Sequence, residues 1–214
     1  MMTTIQMIKT KICGIKSIDA ARSVENFGGD FIGFIFYPKS HRYIDPHDAK
    51  KIIDSLNRKS KIVGVFVDED PDKINSIARD LNLDFIQLHG NESAQYARQI
   101  EFPIIKAWRI NDNFDIERAN QFPCEIALLD TFVKGSAGGT GKSFDWENLE
   151  LDGFNKDFLI AGGISIENVD RAVEIFQKSD RFIGVDVSGS LEIDHQKSPD
   201  LIQKFLEHFN SLRK

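Results

Sequence analysis

Cysteine is nearly absent from this chain. Of 214 residues only Cys13 and Cys124 carry a thiol, and they are far apart and in no metal-ligand spacing. Neither a zinc module nor a disulfide-stapled secreted scaffold is supported, and a reducing compartment is expected. Nowhere do about 18 apolar residues run together, the length a membrane span requires. The N-terminal MMTTIQMIKTKICGI also lacks the continuous apolar stretch of a signal peptide. Basic charge is not in excess either: 27 Lys+Arg stand against 33 Asp+Glu, a formal charge of −6. A protein that grips nucleic acid needs a basic face for counterion release, so that class is disfavoured. What remains is a soluble, cytoplasmic globular protein with no membrane or nucleic-acid partner, and its 41% hydrophobic and 28% charged residues fit that class.

Short apolar, β-branched or aromatic runs recur along the chain at 8–13, 31–36, 61–67, 84–89, 103–108, 124–130, 157–162 and 181–186. Each is strand-length. Between most of them lie stretches with helical apolar spacing, such as 17–27 with Ile18, Ala21 and Val24, or 165–177 with Val169, Val173 and Phe176. Start signals keep the same phase: Ser17 before the first helix, Asp70-Pro71 before the third, Asn91-Glu92 before the fourth and Ser165 before the seventh. Strand starts fall about 19 to 33 residues apart, long enough for a βαβ crossover, and near-continuous apolar strands suit burial on both faces.

Eight strand-loop-helix units in one undivided stretch predict a single (β/α)8 TIM barrel domain spanning 1–214, near the short end for that fold. A doubly wound open sheet is the alternative. It usually carries G-x-G-x-x-G after its first strand, where this chain reads Cys-Gly-Ile-Lys-Ser. The longest connections follow the second and sixth strands.

In a barrel, functional side chains gather at the carboxyl ends of the strands. The polar residues closing the apolar runs are Cys13, His89, Arg109, Asp130 and Asp186, with Arg42 close behind strand two. Cys13 is either a small buried hydrophobe or a reactive thiol. Asp130 must face the mouth or bear the cost of burial. Strands one and six are three steps apart around a ring of eight, so a thiolate and a carboxylic acid there could move protons on opposite sides of a small substrate. Cys124, at the other end of its strand, reads as inert.

Glycines close strands seven and eight in AGGIS (161–165) and VDVSGSLE (185–192). These loops are where barrels most often hold phosphate, because glycine lets backbone N–H groups approach an anion. The string GTGKS resembles the end of a Walker A loop, but the first glycine of that pattern would have to stand at Ser136. A lid over a phosphorylated ligand accounts better for the glycines of 138–146.

Taken in order, KICGI (11–15), GFIFYPKSHRYI (33–44), VGVFVD (63–68), IQLHG (86–90), LLDT (128–131), GGTGKSFDW (138–146), AGGI (161–164) and GVDVSGSLE (184–192) resemble the phosphoribosylanthranilate isomerase family. The resemblance runs from the first strand to the last helix. It implies an Amadori rearrangement of N-(5-phosphoribosyl)anthranilate to 1-(2-carboxyphenylamino)-1-deoxyribulose 5-phosphate in tryptophan biosynthesis, with no metal and no organic cofactor. It further implies Asp130 as general acid on the ring oxygen and Cys13 as general base on the C2 proton. Arg42 would hold the anthranilate carboxylate, and His89 and Asp186 would line the substrate. Gly162, Gly163, Ser188, Gly189 and Ser190 would hold the phosphate. The partner is then a phosphorylated aminosugar, with the protein a monomer or homodimer.

The chain departs from the family pattern where His41 precedes Arg42 in place of the usual proline, where Ser188-Gly189-Ser190 stands for Ser-Ser-Gly, and around His195 to Ser198. Another phosphosugar barrel, such as a metal-dependent epimerase, and a non-catalytic phosphate-binding barrel are the rival readings.

Overall fold

A computed structural model describes residues 7–110, 114–131, 146–149 and 151–213. Eight parallel strands, β1 (Lys9–Cys13), β2 (Phe31–Ile35), β3 (Lys61–Phe66), β4 (Phe85–Leu88), β5 (Ile104–Arg109), β6 (Ile126–Asp130), β7 (Asp157–Ala161) and β8 (Phe182–Val187), form a closed barrel in sequence order. Each lies within two residues of an expected run.

Around the barrel lie α1 (Ile18–Asn26), α2 (Pro46–Asp54), α3 (Pro71–Leu81), α4 (Ala94–Ala97), α5 (Ile116–Gln121), α6 (Val169–Phe176) and α7 (Pro199–Leu212). Among the described residues the β6–β7 connection carries a 3-10 turn at Trp146–Asn148 and no α-helix. The buried ring of Trp146 packs edge-on to Phe176 at 6.4 Å, and its Nε1 donates to Thr131 Oγ1 at 3.2 Å. The lid expected at 138–146 lies, apart from Trp146, outside the described residues.

The start signals are met unevenly. Ser17 and Asp70 cap α1 and α3 as expected, each accepting from backbone N–H groups of the first turn. For α4 the cap is Ser93, and Glu92 is drawn inward instead. Ser165 accepts from Glu167 in a turn that precedes α6, whose cap is Asn168.

Strand parity divides the apolar residues into two cores. Phe31, Val63, Ile105, Leu128, Leu159 and Ile183 fill the barrel, while the alternate residues, among them Ile12, Phe34, Phe66, Ile86, Phe158 and Val185, pack under the helices. At β8 the parity changes. Ile183 and Asp186 are three residues apart yet both face inward, because the register with β7 shifts between Phe158 and Leu159. Gly184 sits at this irregularity with φ 145°, and a Cβ there would lie 1.8 Å from the Lys9 carbonyl oxygen.

At the amino end of the barrel, three carboxylates repeat one device. Asp30, Asp84 and Glu125 each precede an even-numbered strand and accept the backbone N–H of Thr10, Ile62 and Ile104 respectively, near the start of the strand before it. These amides would otherwise lack a ladder partner.

Candidate active site

The opposite end opens into a cavity of about 720 Å³. Cys13, Arg42, His89, Asp130, Asp186, Gly162, Gly163, Ser188, Gly189 and Ser190 all line it. These residues therefore share one space with Arg109, the strand-end residue of β5.

Cys13 and Lys11 lie on the inner side of β1, two residues apart and so on one face. The Lys11 ammonium is completely buried and donates to Asp186 Oδ1 at 2.7 Å. Gly33 on β2 makes room for both: a Cβ there would stand 2.9 Å from Cys13 Sγ and 3.2 Å from Lys11 Nζ. Burial pushes the Cys13 thiol above its ordinary value, and the Lys11 ammonium pulls it back. Burial alone would strip the proton from Lys11, but Asp186 and Cys13 outweigh it and hold the lysine above its ordinary value. At the far end of β6, Cys124 is pushed up to about 11 by burial, as an inert thiol would be.

Across the mouth, Asp130 closes β6 with one carboxyl oxygen 3.6 Å from His89 Nε2. Gln87, two residues before His89 and on the same face of β4, donates from Nε2 to His89 Nδ1 at 2.8 Å. That hydrogen-bond pattern assigns the ring proton to Nε2, the nitrogen turned toward Asp130. The loop bearing His89 is pinned from the outer side of the barrel. Lys106 Nζ donates to the carbonyls of Leu88 and Gly90, at 3.3 and 2.8 Å, and to Glu92 at 2.9 Å, with both charged groups buried.

Arg42 is clamped by Glu192, which accepts from Nε at 2.5 Å and from one terminal nitrogen at 3.0 Å. Lys197 donates to the same carboxylate. Burial works against ionisation of Glu192, yet these two cations hold its carboxyl down at about 2. Two of the Arg42 nitrogens are thus committed, and a ligand carboxylate would meet the other terminal nitrogen or exchange with Glu192. Glu192 and Lys197 belong to a small hairpin, β9 (Glu192–Ile193) and β10 (Gln196–Lys197), turned at Asp194-His195 with both residues at positive φ.

Gly162 and Gly163 follow β7 with φ 93° and 86°, and a Cβ on Gly163 would meet nothing within 4 Å. At Gly163 conformation, not crowding, selects glycine. The Ser188 and Ser190 hydroxyls donate inward, to the Cys13 carbonyl at 3.0 Å and the Ile164 carbonyl at 2.7 Å. They brace these loops against β1 and β7, so an anion would be met by the loop backbone.

Among the described residues one trio, His41, Glu192 and His195, brings metal-ligating atoms within 4.8 Å of one another. The carboxylate of that trio is already paired with Arg42 and Lys197, and a metal ion would have to displace both.

Sequence reasoning missed Lys11, Gln87 and Glu192. The first two lie inside apolar runs, and the signal was available: each stands two residues before a strand-end residue already singled out, and shares its face. Glu192 reaches the site from the hairpin, and no pattern in the sequence announces that.

The sequence model of the N-(5'phosphoribosyl)anthranilate (PRA) isomerase family matches residues 10–208. An N-(5'-phosphoribosyl)anthranilate isomerase of Desulforamulus reducens is 39% identical over 201 residues, covering 94% of this chain and 94% of that protein. Among solved structures, a phosphoribosyl anthranilate isomerase in complex with reduced 1-(o-carboxyphenylamino)-1-deoxyribulose 5-phosphate superposes with a TM-score of 0.81 at 34% identity, covering 96% of this chain and all of that one. A monomeric form generated from the dimeric isomerase of Thermotoga maritima gives 0.80 at 35% identity, over 96% of this chain and all of that one. With the ordered motifs, the closed barrel and the cavity at its carboxyl end, these matches establish that the chain belongs to the N-(5'-phosphoribosyl)anthranilate isomerase family.

Proposed function

We propose that this protein converts N-(5-phosphoribosyl)anthranilate to 1-(2-carboxyphenylamino)-1-deoxyribulose 5-phosphate, the isomerisation its family contributes to tryptophan biosynthesis. The observation that carries the residue roles is that Cys13 and Asp130, on strands three steps apart, line one cavity together with the loops after β7 and β8. Asp130 protonates the furanose oxygen as the C1–O bond breaks, and the nitrogen lone pair closes the C1=N bond of a protonated imine. That imine is the electron sink that makes the C2 hydrogen acidic. Cys13, as thiolate, takes the C2 proton; the C2–H pair becomes the C1=C2 bond of an enolamine, and the imine electrons return to nitrogen. Proton gain at C1 and proton loss from the C2 hydroxyl then give the ketone.

His89, held by Gln87, sets the orientation of Asp130. Arg42 serves the anthranilate carboxylate, a planar fork suited to a planar anion. Backbone N–H groups of Gly162, Gly163, Ser188, Gly189 and Ser190 serve the phosphate, and Asp186 faces the sugar. The partner is this phosphorylated aminosugar, the compartment the cytoplasm, and the assembly a monomer or a homodimer like that of the Thermotoga relative.

The decisive measurement follows the fluorescence of phosphoribosylanthranilate with purified protein, alongside rescue of an isomerase-deficient tryptophan auxotroph. Turnover and rescue are expected. Saturable binding with neither would make the protein a phosphate-ligand sensor and end the proposal.

A further inference from the structure

A thiol that must act as a base gains nothing from burial. Cys13 is 5% exposed, and the cost of removing a thiolate from water opposes its ionisation. The compensating group lies beneath it in the barrel. Lys11 is wholly buried, as few lysines are, and its stem is fixed on β1 with the same inward parity as Cys13. Its ammonium is tied to Asp186 at 2.7 Å and stands near the sulfur, both groups crowding the same point over Gly33. Gly33 leaves that contact unobstructed. A lysine kept only for packing could pair with Asp186 alone; here the same ammonium also serves the sulfur.

We infer that Lys11 is a positioning residue for the isomerisation: anchored by Asp186, it supplies the fixed positive charge against which the Cys13 thiolate forms. The inference rests on the proposed role of Cys13 as base. The proton balance is simple. The free enzyme releases the thiol proton to solvent through the open mouth, leaving a thiolate beside the ammonium. The thiolate accepts the substrate C2 proton and becomes a thiol again, with Lys11 protonated throughout. The other groups facing the sulfur act less strongly: Asp186 opposes ionisation, and Lys197 on β10 favours it from farther off.

The test reads the thiol directly and needs no substrate, so its outcome is separable from any failure of the proposed reaction. In a Cys124→Ala background Cys13 is the remaining thiol, and its alkylation by iodoacetamide is followed against pH by mass spectrometry. Lys11→Met is expected to move the alkylation midpoint upward by about one pH unit or more, equivalent to about tenfold slower alkylation at a fixed pH below the midpoint. In turnover, kcat should fall by about a hundredfold with KM little changed. Because Lys11→Met alone leaves Asp186 without its partner and could unfold the barrel, Lys11→Met/Asp186→Asn, which leaves no orphaned charge, is measured beside it. A smaller upward shift is expected there, because the charge of Asp186 that opposes ionisation is removed as well. An unchanged midpoint in the folded double variant would overturn the inference and reduce Lys11 to a structural ion pair.

Discussion

Carboxylates at the two ends of this barrel do different work, although the side chains are chemically alike. At the amino end, Asp30, Asp84 and Glu125 are consumed by backbone amides at the starts of β1, β3 and β5. Asp84 also takes Arg58 at 3.1 Å and Lys61 at 2.9 Å. At the carboxyl end, Asp130 and Asp186 terminate or nearly terminate apolar strands and face a cavity, with side chains as neighbours: His89 for one, Lys11 for the other. The first set is turned to the backbone of the neighbouring strand, whereas the second faces the space a ligand would enter. The end of the strand, more than the residue type, therefore decides whether an acid serves stability or chemistry.

That contrast breaks most visibly in turnover. Cys13→Ser and Asp130→Asn should each lower kcat by about 10²–10⁴-fold while leaving the melting transition and the binding of a product analogue nearly unaltered. A variant that keeps the parent kcat removes its residue from the proton transfers. Asp84→Ala should do the reverse. Loss of hydrogen bonds from one amide and two cations should cost about 1–3 kcal/mol in urea unfolding, with kcat of the folded enzyme unchanged; a fall in kcat without destabilisation would collapse the distinction between the two ends.

Glu192 sharpens the comparison, because it sits at the functional end yet behaves like an amino-end acid. Its folded-state value of about 2 lies below the ordinary 4.5, so its contribution to stability is complete above about pH 4.5 and is lost as pH falls toward 2. Glu192→Gln should flatten the unfolding free energy across that window, and an unchanged acid slope in the variant would deny the pairing with Arg42 and Lys197 any weight. The smallest effect expected is at Arg42. Arg42→Ala should weaken binding of an anthranilate-bearing ligand more than of its analogue lacking the carboxylate, read by isothermal titration, and equal losses would remove that assignment.

The parts of the molecule readable from the sequence share one cause. Strands buried on both faces announce themselves as apolar runs, and a polar residue that ends such a run has one place to go, which is why Cys13, His89, Asp130 and Asp186 could be picked out. Lys11 and Gln87 were hidden because a polar residue inside an apolar run looks like noise until strand parity is applied. Lys106 shows the need for parity: it too interrupts an apolar strand, but it points outward and anchors a loop. The turn Trp146–Asn148 has no periodic signal because three residues are too few to show one. The hairpin bearing Glu192 was hidden because Asp194-His195 takes a two-residue turn without the asparagine-glycine pair that usually signals one.

The register shift beside Gly184 gives β8 an odd spacing of three residues between its inward side chains Ile183 and Asp186. A strand of the same sequence without that irregularity would have the same hydropathy. It would nonetheless turn aliphatic Val185 or Val187 toward the reaction chamber and bury a carboxylate under the helices. The charge on the inner wall is thus an arithmetical property of the backbone, and homologues lacking the irregularity must place their acid one position away to keep the same chemistry.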